Sequence, residues 1–103
     1  MSLTAGPAGL VGKVLWIASP TYAGPAVVRG GRIDGTGTMA FSLSGPTTTP
    51  TTELRLDQPT AVGETPAGWR EWPSETYLSS AGCFAFQVDG VGFSQVLVFA
   101  ATS

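Results

Sequence analysis

The chain has no histidine and one cysteine, Cys83. Without histidine there is no Ser-His-Asp or Cys-His pair for nucleophilic catalysis, and one thiol forms neither an internal disulfide nor the usual zinc site. The few carboxylates, among them Asp57, Glu64, Glu71 and Glu75, have no spacing that argues for an acid/base couple. The sequence therefore predicts no enzyme and no cofactor. Charge is scarce as well: charged residues are 12% of the chain, where about 25% is usual. The five Lys and Arg stand singly in a chain of net charge -2, so no basic stripe exists to neutralise phosphates and nucleic acid is not an expected partner. No apolar run nears the ~20 residues of a membrane-spanning helix. The first residues lack the basic-then-apolar layout of a signal peptide. Met1-Ser2-Leu3 fits a cloning remnant in place of a removed export signal, which leaves the compartment open.

A sustained helical period is also missing. Fourteen glycines and eight prolines interrupt the 103 residues, and nowhere does an apolar 3.6-residue repeat run for three turns. Strand signals are there instead. Residues 1–9 are small, flexible types, expected to be loosely ordered ahead of one domain over 10–103. Lys13-Val14-Leu15-Trp16-Ile17-Ala18 reads as a strand closed by Ser19-Pro20. Ala26 to Asp34 reads as a second, with Gly30-Gly31 predicting a bulge or bend. Thr38 to Leu43 alternates, with Met39, Phe41 and Leu43 on one side. Pro46 to Thr52 is a low-complexity loop, and Glu53 to Asp57 a short strand with two inward leucines. Gln58 to Gly68 is a long connection expected to cross between sheets. Trp69 to Leu78 reads as a strand interrupted at Pro73.

The densest apolar content lies in Gly82 to Ala100, two runs hinged at Asp89-Gly90, a dipeptide favoured where φ turns positive in a reversal. This predicts a β-hairpin. With Asp89 to Gly92 as the loop, Val88 faces Phe93 and Phe84 faces Leu97. Phe84, Phe86, Val88, Phe93, Leu97 and Phe99 then share one side, and Cys83, Ala85, Gln87, Ser94, Val96 and Val98 the other. Both sides are largely apolar and one sandwich core covers only one of them, so the other calls for a loop, another domain or a second copy. About seven strands at sandwich-like spacings predict an all-β antiparallel sandwich.

Trp69, Trp72 and Tyr77, with Arg70 and Glu71 among them, admit two readings. One is an aromatic platform for a sugar ring; the other is a strand whose alternate residues pack inward. Cys83 opens a strand with no positive charge nearby to activate a thiol, which favours a packing role. Ile33-Asp34-Gly35-Thr36-Gly37 and Val88-Asp89-Gly90-Val91-Gly92 share a pattern. At one end of a sandwich their carboxylates could approach a calcium ion, but two aspartates fall short of its six to eight oxygens. No metal site is therefore assigned.

The run from Trp69 to Phe99 resembles the end of small immunoglobulin-like domains of bacterial secreted proteins and lipoproteins of uncharacterised function. Trp69, Gly82, Cys83, Phe84, Gln87, Val88, Asp89, Gly90, Phe93, Ser94, Val98 and Phe99 carry the likeness. Lys13 to Trp16 and Gly31 to Gly35 fit more loosely, Ala81 stands where proline is expected, and no lipid-attachment cysteine precedes the domain. The resemblance implies an immunoglobulin-like sandwich outside the cytoplasm and carries over no catalytic residue. The expectation is a non-enzymatic binding, adhesion or structural module that associates with protein, first of all with itself. A carbohydrate-binding module and an inhibitor-like domain acting through Gln58 to Gly68 are the alternatives.

Overall fold

The computed structural model describes residues 3–6, 9–44, 49–57 and 68–102. Among these there is no helix, and eight strands follow one another: β1 (Leu3–Gly6), β2 (Gly9–Ala18), β3 (Ala26–Arg32), β4 (Met39–Leu43), β5 (Leu54–Leu56), β6 (Arg70–Leu78), β7 (Gly82–Gly90) and β8 (Phe93–Ala101). They form two four-stranded sheets, ordered β1-β2-β6-β4 and β5-β3-β7-β8, with every neighbouring pair antiparallel. The all-β sandwich expectation holds at this level. β5 and β6 belong to different sheets; of the connection expected to cross between them, residues 58–67 lie outside the described residues.

Strand alternation builds the core. Met39 and Phe41 of β4, Trp72 and Leu78 of β6, Val28 of β3, Leu54 and Leu56 of β5, and Phe84 and Phe86 of β7 are all buried, each set spaced by two along its strand or by a multiple of two. Phe86 is the hub. Its ring stacks on Phe99 of its own sheet at 4.8 Å, and receives the edge of Trp16 at 5.2 Å and the tilted ring of Phe41 at 6.1 Å from the opposite sheet. Such aromatic contacts add about 0.5–1.5 kcal/mol each beyond the area they bury.

Four expectations are corrected. β1 lies within the segment expected to be loosely ordered, because its backbone finds a ladder on β2 from Leu3↔Gly12 to Gly6↔Gly9 and Leu3 packs against the core. Gly30-Gly31 makes no bulge: both pair in register with β7. Gly30 is there for close approach, since a Cβ on it would sit 2.4 Å from the Ala85 carbonyl oxygen and 2.5 Å from the Met39 sulfur. Pro73 does not interrupt its strand. Its carbonyl accepts from Ser44 N–H at 2.9 Å, so its missing donor faces the side where the β4 ladder is ending, after Leu43↔Ser74, and little is lost there.

The fourth correction concerns the hairpin register. The loop is Val91-Gly92, closed by Gly90↔Phe93, with Phe86 opposite Leu97 and Phe84 opposite Phe99. Gly92 has φ +84° while Asp89 and Gly90 stay in the strand. A Cβ on Gly90 would meet the Phe93 ring at 2.1 Å, so Gly90 provides room for the ring across the closing pair, and Gly92 provides the turn. The shift is by two residues, so the predicted partition of side chains between the faces is kept.

Thr76 is 0% exposed and its Oγ1 has no hydrogen-bond partner. A buried unsatisfied hydroxyl costs about 1–3 kcal/mol. Thr76→Val, of nearly the same shape, is expected to raise the urea midpoint of unfolding; an unchanged or lower midpoint would show that the hydroxyl is satisfied in solution.

Candidate functional site

β8 is an edge strand, paired among the described residues with β7 alone. Its nine residues, Phe-Ser-Gln-Val-Leu-Val-Phe-Ala-Ala, include no charge and no proline, the devices that usually blunt such an edge. Residues 93–98 are all exposed, with Val96 at 62%, Val98 at 63% and Leu97 at 47%. The hairpin closes on Gly90↔Phe93, so the odd-numbered residues of β8 turn their backbone groups to β7. Those of Ser94, Val96, Val98 and Ala100 face outward, free to pair.

A cleft lies beside this edge. β1 pairs with β2 over Gly9 to Gly12, and among the described residues Lys13 to Ala18 have a ladder partner on the β6 side alone. There the two sheets part around a cleft of about 420 Å³, lined by Trp16, Ile17 and Ala18 of β2, Arg70 and Trp72 of β6, and Phe93, Gln95 and Leu97 of β8. Its end wall is held by a polar knot. The Arg70 guanidinium lies 5.1 Å from the Trp72 ring centre and donates to the carbonyls of Tyr22 and Gly24 at 2.9 and 2.8 Å. The Tyr22 hydroxyl donates to the Pro25 carbonyl and accepts from Val91 N–H at 2.8 Å, while its ring meets Phe93 edge-on at 5.1 Å. The turn after β2 is thereby fastened to the tip of the β7–β8 hairpin.

The outer face at that tip carries Asp89, which accepts from the Ser94 hydroxyl at 2.6 Å, from Arg29 at 2.9 Å and from Gln87 at 3.2 Å. The Ser94 hydroxyl first, then Arg29 and Gln87, hold the Asp89 carboxyl below the usual carboxylate range. Asp34 is lowered likewise, by the Arg32 side chain and by Cys83 N–H, which donates to it at 3.0 Å. The two Asp-Gly segments do not share an end of the sandwich: Asp34 meets the start of β7 and Asp89 lies six residues along that strand, a run of about 20 Å. No group of three or more potential ligand side chains forms among the described residues.

The residues predicted to make a sugar platform are dispersed. Trp72 points into the core at 2% exposure and Trp69 is 43% exposed. Tyr77 is on the opposite face of β6, its hydroxyl 2.9 Å from that of Ser42 and 3.4 Å from the Glu75 carboxylate. Arg70 lines the cleft, and Glu71 is 7% exposed. Cys83 is half-buried and opposite Ala100. Of the proposed inhibitory loop, residues 58–67 lie outside the described residues. Tyr22 was not singled out from the sequence; a tyrosine amid the turn-forming residues between Pro20 and Pro25 was the available signal. No helix among the described residues is long and apolar enough to cross a membrane. Compared with protein-family models, curated proteins and solved structures, the chain finds no significant match.

The lowered Asp89 carboxyl links stability to acid. Its contribution is present above the unfolded value of about 4 and is lost as pH falls through the lower folded one. Asp89→Asn is expected to lose less stability than the native chain on acidification from about pH 5 to about pH 2.5, read by urea unfolding. Parallel losses would show that the Ser94 and Arg29 contacts are not made in solution.

Proposed function

We propose that this domain is a non-enzymatic protein-binding module that acts by strand addition at β8. The observation that carries the reading is the row of outward backbone groups at Ser94, Val96, Val98 and Ala100 on an uncharged edge whose side chains are exposed on both faces. In this recognition mode main-chain hydrogen bonds supply affinity, while alternate side chains find pockets that supply specificity. The cleft walled by Phe93, Gln95 and Leu97 is placed for those alternate side chains, and its remaining walls are apolar or aromatic apart from Arg70 and the Ser19 turn. An extended partner segment with apolar residues at every second position fits both features.

The extracytoplasmic location and the immunoglobulin-like layout are part of the same proposal and rest on the resemblance of Trp69 to Phe99. Strand neighbours support the layout. An immunoglobulin sandwich orders its strands A-B-E-D and C′-C-F-G, and β1-β2-β6-β4 and β5-β3-β7-β8 fill those places in turn. The chain departs from the pattern by reaching the D place with β4 before the C′ place with β5.

Proline at position 98 removes an outward N–H and leaves the β7 ladder intact. Uncharged heptapeptides selected from a displayed library are expected to bind the native chain, to shift the backbone amide resonances of 94–100, and to lose affinity for Val98→Pro by roughly tenfold or more. Failure to select any peptide, or binding that proline leaves untouched, would sink the strand-addition reading.

A further inference from the structure

We infer that the partner strand is supplied by a second copy of this chain, β8 joining β8 antiparallel about a two-fold axis through Leu97. The inference rests on the strand-addition reading above and adds the identity and register of the partner.

Backbone geometry selects that register. Two identical strands pair antiparallel about a two-fold axis, and a ladder forms only where outward groups meet outward groups. On β8 these belong to Ser94, Val96, Val98 and Ala100. An axis between two residues would set outward groups against inward ones and make no ladder. An axis at Val96 would carry Ala100 opposite the partner's Gly92, in the turn, and an axis at Val98 would carry Ser94 past the strand's end, opposite the partner's Thr102. With the axis at Leu97, Ser94 faces the partner's Ala100 and Val96 faces the partner's Val98, so all four outward residues of each copy are engaged.

Side chains agree with this arrangement. The outer face gains two Val96–Val98 pairs, which covers the two most exposed valines of the strand, at 62% and 63%. On the inner face Leu97, which lines the cleft of its own copy, meets the partner's Leu97. β8 carries no charge, so self-pairing sets no like charges opposite one another, whereas a charged partner strand would find no counter-ion along it. The product is one continuous eight-stranded sheet in which neither copy keeps its β8 edge open.

The axis places Leu97 opposite itself in a non-hydrogen-bonded pair, where Cα atoms are about 4.5 Å apart, within the range that a disulfide spans. In a Cys83→Ser background, Leu97→Cys is expected to oxidise to a covalent dimer, while Val96→Cys and Val98→Cys remain uncrosslinked. Sedimentation of the native chain should show twice the 10.6 kDa mass, with Val98→Pro and Val98→Lys weakening association roughly tenfold or more. Thermal midpoints of the monomeric variants report whether each has folded. Crosslinking at Val96→Cys or Val98→Cys in place of Leu97→Cys overturns the register. A native chain that stays monomeric up to about 1 mM overturns the self-pairing. If that monomer still takes heptapeptides at residues 94–100, strand addition stands with a foreign partner; if it takes none, both readings fall.

Discussion

The contact on which the sandwich depends is the aromatic packing around Phe86. Its ring touches Trp16 and Phe41 across the interface between sheets and Phe99 beside it. Each fully buried large apolar side chain contributes about 1.5–3 kcal/mol, so a chain with few ion pairs draws its cohesion from this cluster and from the aliphatic residues of β3, β4, β5 and β6 around it. Once Phe86 faces the opposite sheet, alternation sends Ala85 and Gln87 outward. The hairpin partner then presents Leu97 and Phe99 inward, and Val96 and Val98 outward.

From that constraint follows the asymmetry that makes a site. Among the described residues β8 pairs over nine positions and β1, at the matching edge of the other sheet, over four. Beyond Gly12, where no described residue pairs with β2 on the β1 side, the two sheets part around the cleft. Trp16 still packs edge-on against Phe86, which keeps the deep end closed, while Leu97 and Phe93 line a cleft instead of a core. The open edge of β8 and the cleft thus lie side by side.

The polar residues act as fasteners at the ends of the sandwich. Arg32 reaches Asp34, the Thr36 carbonyl and the Ser80 hydroxyl, lying over Gly82 so closely that a Cβ there would meet its Nε at 2.4 Å. At the other end Arg70, Tyr22 and Asp89 tie the turn after β2 and the hairpin tip together. These groups hold segments in place and are already occupied by one another.

Much of this was legible in the chain itself. Period-two alternation in Met39-Ala40-Phe41 and in Phe84-Ala85-Phe86, with punctuation by glycine and proline, was enough to determine strands, a sandwich and the sides on which the hairpin's residues fall, because inward and outward positions are set locally by the pleat. The two-sided apolar character of Gly82 to Ala100 likewise called for cover on the hairpin's outer side. What awaited tertiary structure was everything set by contacts between distant residues. The hairpin tip at Val91-Gly92 is fastened by Tyr22, whose hydroxyl accepts from Val91 N–H and whose ring meets Phe93, and Trp72 lies in the core because strand parity turns it inward. The N-terminal residues became a strand because β2 offered them a ladder. That the β8 edge and the cleft lie side by side is a matter of register between chain segments far apart in sequence, which no local pattern encodes.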